Sequence, residues 1–336
     1  MSEALTAELL SVIQKNFPMS RYPYEEIANR LDLSENEVLT TLQEQKEQSI
    51  IRQISPIFDT KRLGYQSSLV AFMIDEDRID EAVEIINSHP GVSHNYERDH
   101  AFNIWFTLAV PPDSKLGLEK TVELLAQKTG AKDAIILPTL KMFKIAVKLN
   151  TTGKDAKKEK VAKRRHKEIE LTPLHLEVIR HTQYDLPVVR EPFAEVVEKL
   201  DISYDTLFDT LHELQEAGVM RRFAAILNHR KAGFNANAMV VWDVDAEKGE
   251  EIGKKAAEFS AVSHCYLRPK YENWPYNLFT MVHGKTTEET NAIIESIADE
   301  IEHKAKRPLY STREFKKVRI KYYTPEFSAW EEKMMG

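Results

Sequence analysis

Two short segments alternate residues that can do chemistry with residues that pack. His94, Tyr96 and Arg98 fall at every second position, and so do His264, Tyr266 and Arg268. In an extended strand that period sets the three side chains on one face. Asn103, Trp105 and Thr107 share a face in the next run, as do Asn277, Phe279, Met281 and His283 in its later counterpart, and His100 continues the first series if its strand runs that far. A sandwich face that is merely buried would read as valine and isoleucine here. Imidazole titrates near neutrality and can move protons, and guanidinium clamps carboxylates through paired hydrogen bonds. Cys265 alternates to the opposite side with no base beside it, and reads as packing.

The two faces belong to a repeat. Shifted by ~169 to 174 residues, the chain falls on itself. Tyr22-Pro23-Tyr24 lies over Glu191-Pro192-Phe193, Leu31-Asp32-Leu33-Ser34 over Leu200-Asp201-Ile202-Ser203, and Leu63-Gly64-Tyr65 over Ala232-Gly233-Phe234. Val92-Ser93-His94 lies over Val262-Ser263-His264, and Phe102-Asn103-Ile104 over Tyr276-Asn277-Leu278 after a four-residue insertion in the second copy. The copies then diverge around the polar face. The first has Arg98-Asp99-His100-Ala101-Phe102, and the second has Arg268-Pro269-Lys270-Tyr271-Glu272-Asn273-Trp274-Pro275-Tyr276 and ends Met281-Val282-His283-Gly284. This divergence suggests that the halves do different jobs around one site.

Each copy begins with helical spacing, as at Leu9, Leu10 and Ile13, followed by a helix at Tyr24 to Leu31. Ser34 and Ser203 then stand as N-caps before the third helix. A short β-wing is expected at Ile50 to Phe58 and at Val219 to Leu227. Strand, helix, strand, strand, helix, strand follow. The strands are expected near Ser67–Ile74, Gly91–Glu97, Phe102–Val110 and Ala134–Lys144, with counterparts at Asn235–Val244, Ala261–Arg268, Tyr276–His283 and Leu309–Tyr322. The fold class is therefore α+β: a tandem duplication of a winged helix-turn-helix and a ferredoxin-like βαββαβ sandwich. The expected domains are 1–60 and 171–230 for the helix-turn-helix segments, and 61–150 and 231–336 for the sandwiches. A basic linker at 151–170 holds Lys154, Lys157, Lys158, Lys160, Lys163, Arg164, Arg165 and Lys167. It reads as a solvated linker, with a nucleic-acid- or anion-binding arm as the alternative.

The 336 residues are 42% hydrophobic and 29% charged, as in a soluble globular protein. No apolar run approaches the roughly 20 residues of a membrane span, and Met1-Ser2-Glu3-Ala4 does not open a signal peptide. The single cysteine excludes an intramolecular disulfide or a cysteine-ligated cluster within the chain. Together these features favour the cytoplasm.

A winged helix-turn-helix joined to a ferredoxin-like unit resembles the Lrp/AsnC family of transcription regulators. A working recognition helix needs Arg, Lys, Asn or Gln at base edges and cations at phosphates. The candidate in the first copy, Ser34 to Gln48, has Glu35, Glu37, Glu44 and Glu47 against Lys46. The second, Ser203 to Ala217, has Asp205, Asp209, Glu213 and Glu216 and no Lys or Arg. Against phosphates these carboxylates repel, so no nucleic-acid partner is expected.

A more specific resemblance rests on the polar faces. Tyr96-x-Arg98-x-His100-x-Phe102-Asn103-x-Trp105-Phe106-Thr107 is similar to one half of the siroheme decarboxylase family. His264-Cys265-Tyr266-x-Arg268-Pro269, Trp274-Pro275-Tyr276-Asn277, Met281-x-His283-Gly284 and Tyr310-Ser311-Thr312-Arg313-Glu314-Phe315-Lys316-Lys317 resemble the other half. The two halves occur in that family as separate subunits or fused, and the match spans both halves of this chain.

The resemblance implies that siroheme loses the carboxyl groups of two acetate side chains as carbon dioxide, giving 12,18-didecarboxysiroheme in haem biosynthesis. It implies no cofactor beyond the substrate, which brings its own iron. For a substrate with eight carboxylates the candidate cations are Arg98, Arg268, Lys270, Arg313, Lys316 and Lys317, with Lys141 in a weaker position. Trp105, Trp274, Tyr276 and Met281 are candidate walls, with His264 beside them. Loss of carbon dioxide leaves electrons on a methylene that must take up a proton. His100 and His283 are the expected acids, one of them an alternative ligand of the substrate iron, and Tyr96, Tyr266 or Tyr271 would orient a carboxylate. Lrp-like sandwiches pair through their sheets, so an internal pseudo-dimer is expected, with further homo-oligomerisation left open. The alternatives are a ligand-responsive regulator and a tetrapyrrole carrier or sensor without turnover.

Overall fold

A computed structural model describes residues 2–145, 168–227 and 236–336. The first copy comprises α1 (Glu3–Lys15), α2 (Pro23–Leu31), α3 (Glu35–Glu47), β1 (Ile51–Phe58), β2 (Gln66–Met73), α4 (Ile79–Ser88), β3 (Val92–Arg98), β4 (Ile104–Val110), α5 (Gly117–Thr129), β5 (Asp133–Leu137) and β6 (Lys141–Ile145). The second comprises α6 (Pro173–Thr182), α7 (Ala194–Leu200), α8 (Tyr204–Glu216), β7 (Met220–Leu227), β8 (Ala236–Asp243), α9 (Gly249–Glu258), β9 (Val262–Leu267), β10 (Leu278–Gly284), α10 (Thr287–Glu300) and β11 (Ala305–Lys317), and α11 (Glu326–Met335) closes the chain. The duplicated α+β architecture follows the sequence. The basic segment at 151–170 lies outside the described residues except for 168–170, as does the Ala232-Gly233-Phe234 match. Among the described residues no helix is long and apolar enough to cross a membrane.

The chain forms two compact units, one from the two helix-turn-helix segments with residues 321–325, the other from the two sandwiches with α11. In the first unit Ser34 caps α3 in a capping box with Glu37, and Ser203 accepts from the Thr206 amide at the start of α8. Such a cap is worth about 1 kcal/mol. Both wing strands form where the sequence places them, as β1 and β7. Among the described residues β1 pairs antiparallel with β7 of the other copy. After Phe58 the chain turns at Asp59 and Thr60 rather than continuing into a second strand, so the β1 backbone finds its partners across the repeat. Phe223 of β7 stacks on Phe17 at 5.5 Å between ring centroids and meets Phe193 edge-on at 5.7 Å. Lys46, the one cation of α3, bonds Asp185 and the Leu186 carbonyl.

In the second unit, among the described residues, nine strands form one antiparallel sheet in the order β5-β2-β4-β3-β11-β8-β10-β9-β6. The run expected as one strand from Ala134 to Lys144 is broken at Pro138, which has no N–H to give a ladder. Its first part, β5, stays with β2, while β6 crosses to pair with β9 of the second copy. Phe143 of β6 lies on α9 at Gly253, where any side chain would collide with the ring. The last strand, expected at Leu309–Tyr322, runs instead from Ala305 to Lys317. It makes the reciprocal move, its start pairing with β8 and its end with β3 of the first copy. Each copy thus completes the sheet of the other.

The period of two sorts the strand residues. Val70, Phe72, Ile104 and Phe106 face Ile86, Val122 and Leu125 of α4 and α5. Val240, Trp242 and Val282 face Ile252, Ile294 and Ile297 of α9 and α10. The opposite face gathers Ala71, Trp105, Ile135 and Leu137 with Met239, Val241, Phe279 and Leu309, so residues of both copies share one core. Cys265 is buried on the helix side with its thiol pushed up to about 12 by burial, in keeping with a packing role.

α11 docks on the first sandwich through Trp330, whose indole donates to Ser88 Oγ at 2.9 Å and stands edge-on to His89 at 4.4 Å. His89 is buried, accepts from the Gly91 amide through Nδ1, and is held down to about 3 by burial, with Lys316 adding to it. The folded value lies below the unfolded one, so neutral His89 contributes stability above about pH 6.5 and loses it as the pH falls. Between about pH 7 and pH 5 the loss amounts to about 2 kcal/mol. Urea unfolding followed by tryptophan fluorescence at both pH values should show His89→Gln losing less stability than the parent by about that amount. Equal losses would remove His89 as the cause.

Candidate active site

The shared face encloses a cavity of ≈ 970 Å³ lined by both copies, within the range that holds a large organic ligand. β3 supplies His94, Tyr96 and Arg98, and β9 supplies His264, Tyr266 and Arg268 in the same order. The alternation read from sequence therefore places both polar faces on one cavity. Trp105, Met281, His283, Arg313 and Lys317 also line it.

The two arginines are its most unusual groups. Arg98 Nη1 donates to the Leu309 carbonyl at 2.7 Å, and Arg268 Nη1 donates to the Leu137 carbonyl. Each thus ties to a strand of the opposite copy. Arg98 lies over Tyr96 at 5.5 Å, and Arg268 lies over Tyr266 at 5.1 Å and Phe279 at 5.3 Å. Both guanidinium groups are buried, and the Nε of each has no hydrogen-bond partner. Burial pushes each down to about 10. A guanidinium displaced that far from its usual range gives up about 3 kcal/mol. A buried charge normally acquires a partner, and neither of these has a carboxylate among its described contacts.

The imidazoles differ between copies. His283 is bonded through both nitrogens, Nδ1 to Asn237 Oδ1 at 2.7 Å and Nε2 to Ser263 Oγ at 2.5 Å. Burial, then the neighbouring His264, holds it down to about 4. His264 is lowered by burial and meets the same Ser263 hydroxyl. On the first copy Ser93 Oγ lies 2.9 Å from His94 Nδ1 and 2.7 Å from Thr107 Oγ1.

Other nominated residues lie elsewhere. β3 ends at Arg98, so the period of two stops before His100. His100 is half-buried off the cavity, 5.3 Å from the Trp274 ring, and accepts from the Phe102 amide through Nδ1. Burial lowers its pKa, and Arg307 adds to the effect against Asp99. Trp274 and Tyr276 form a layer behind Trp105, with Trp274 5.2 Å from Trp105 and 5.1 Å from Tyr276. The Tyr271 hydroxyl donates to the Ile136 carbonyl at 2.5 Å. Lys270 holds Asp243 and the Val244 carbonyl, Lys316 the Asn87 carbonyl, and Lys141 pairs with Glu250. None of these last four lines the cavity. Arg313 does, but engages Glu97 and Asp80, and Lys317 lies 3.9 Å from Glu314. Sequence reasoning missed Asn237 and Ser263. The recurrence of serine before histidine in both copies was the available signal for Ser263.

Comparison with known proteins matches the same two segments twice. The AsnC-like ligand binding domain model fits residues 62–144 and 231–316, and the siroheme decarboxylase NirDL-like HTH domain model fits residues 7–52 and 176–221. The siroheme decarboxylase of Hydrogenobacter thermophilus is 42% identical over 98% of both chains. The beta subunit of the Methanosarcina barkeri siroheme decarboxylase is 41% identical over 44% of this chain and 96% of its own. Among solved structures, the siroheme decarboxylase NirDL superposes with a TM-score of 0.81 at 38% identity over 98% of both chains, and a second structure of that protein is a co-complex with an iron-uroporphyrin III analogue. By sequence over its full length and by fold, this chain belongs to the siroheme decarboxylase family.

Proposed function

We propose that this chain is a carboxy-lyase that removes the carboxyl groups of two siroheme acetate side chains as carbon dioxide, giving 12,18-didecarboxysiroheme. The observation that carries this reading is the pair of buried arginines, Arg98 and Arg268, each facing the cavity without a carboxylate partner. A polycarboxylate macrocycle supplies what they lack, and the pairing gains strength from their dry surroundings. Trp105, Phe279 and Met281 offer apolar surface to the ring. Tyr96 and Tyr266, each stacked under its arginine, are placed to orient a bound carboxylate. As each carbon–carbon bond breaks, its electron pair moves into the macrocycle and the methylene takes up a proton. His94, His264 and His283 are the imidazoles that line the cavity, and His283 with His264 forms the hydrogen-bonded pair suited to that transfer. Because both nitrogens of His283 are already bonded, passing a proton through Ser263 suits it better than ligation of the substrate iron.

No cofactor besides the substrate enters this scheme. The protein acts in the cytoplasm as an internal pseudo-dimer without nucleic acid, in keeping with the acidic α3 and α8 and with Lys46 being spent on Asp185. Anaerobic incubation of the purified protein with siroheme, followed by mass spectrometry of the extracted tetrapyrrole, tests the reading. Loss of two carbon dioxide molecules is expected. Tight binding with unchanged mass would make the protein a carrier or sensor instead.

A further inference from the structure

Asn237 and Ser263 flank His283 and permit a single order of donors when the rings are neutral. An amide oxygen only accepts, so His283 carries its proton on Nδ1 toward Asn237 Oδ1 and presents a bare Nε2. The Ser263 hydroxyl donates to that nitrogen and turns its lone pairs to His264, which must then carry its proton on Nδ1. His264, on the cavity wall, is left with a bare Nε2 that makes no hydrogen bond among the described residues. The depressed pKa values of both rings agree with neutrality at physiological pH.

The first copy lacks this order. In the repeat, Asn237 stands over Ser67 and His283 over Ala109. The two positions are cross-strand partners in both copies, Ser67 opposite Ala109 and Asn237 opposite His283. They differ together, whereas common ancestry would keep them alike. In the first copy the second neighbour of Ser93 is the Thr107 hydroxyl, which can donate or accept, so no direction is fixed there.

We propose that Asn237 and Ser263 are positioning residues of the decarboxylation site, fixing one hydrogen-bond direction through His283 and His264 so that a proton passes between the two imidazoles by way of the Ser263 hydroxyl. This rests on the reading of the chain as a siroheme decarboxylase. A proton arriving at His264 Nε2 sends the Nδ1 proton to Ser263 and the Ser263 proton to His283 Nε2, and the reverse movement returns it. In the reaction the acetate carbon–carbon bond breaks and carbon dioxide leaves. The electron pair stays with the macrocycle and its methylene, and the imidazolium proton completes a methyl group. Water resupplies the proton, and no oxidant or reductant takes part.

The test is the anaerobic kcat and KM for siroheme of the parent protein, Asn237→Leu, Asn237→Asp and Ser263→Ala. Asn237 is exposed, so its replacement leaves folding intact, and absorbance titration with siroheme verifies the cavity in each variant. Asn237→Leu and Ser263→Ala should lower kcat by about 10- to 100-fold with KM within about threefold of the parent. Asn237→Asp, whose carboxylate still accepts from Nδ1, should recover most of the loss. An unchanged kcat in the first two variants beside an active parent overturns the proposal, as does a loss confined to KM or an aspartate variant no better than the leucine one. A parent that binds siroheme without turnover would defeat the functional reading itself, and the proposal with it.

Discussion

Replacing His283 with alanine is expected to lower the turnover of siroheme by about 100-fold or more while changing KM little. The ring lines the cavity, is held at both nitrogens, and is pushed by burial to a pKa of about 4. A neutral imidazole that gains a proton there becomes a strong acid, which suits passing a proton through Ser263 and His264 to a methylene as its carboxyl group departs. The loss should therefore fall on the chemical step, because the arginines that hold the substrate are untouched. Replacement of His100, whose ring lies off the cavity against Trp274 and Phe102, should cost less. Single-turnover measurements with extracted tetrapyrroles would separate the two variants. Full activity in the His283 variant would remove it from the reaction.

The second large effect concerns the arginines, and it has two signs. Arg98→Met and Arg268→Met should each weaken siroheme binding by about 10- to 100-fold, the worth of a hydrogen-bonded charge. In the absence of substrate the same variants should be more stable than the parent by about 1–3 kcal/mol. A buried guanidinium without a counterion is a standing cost, and an apolar side chain of similar volume relieves it. Absorbance titration measures the first effect, and urea unfolding of the ligand-free protein measures the second. Unchanged affinity, or lower stability in both variants, would mean that the carbonyl bonds to Leu309 and Leu137 are the reason these arginines are present.

The polar faces were legible because strands obey a simple rule. β3 spans Val92–Arg98, so alternation placed His94, Tyr96 and Arg98 correctly, and β9 did the same for their counterparts. The rule ended with the strand, which is why His100 landed elsewhere. Nominating cations by charge alone fared worse. Lys141, Lys270 and Lys316 are each committed to a protein carboxylate or carbonyl, and surface ion pairing leaves no periodic trace. Asn237 was invisible because nothing in one strand reports which residue lies opposite it in the next. The strand exchange was hidden for the same reason. Pro138 marked a break in Ala134–Lys144, but pairing partners are a property of the assembled sheet.

That exchange bears on how the halves can be made. The pairings of β6 with β9 and of β11 with β3 all lie outside residues 146–167. A backbone severed within that stretch would leave every one of them available, and two separate polypeptides could assemble the same sheet. What covalent fusion adds is a high effective concentration of each half for the other, and a fixed one-to-one stoichiometry. The unlike halves then meet each other rather than their own kind, so each folded chain carries one full complement of His283, Asn237 and both buried arginines.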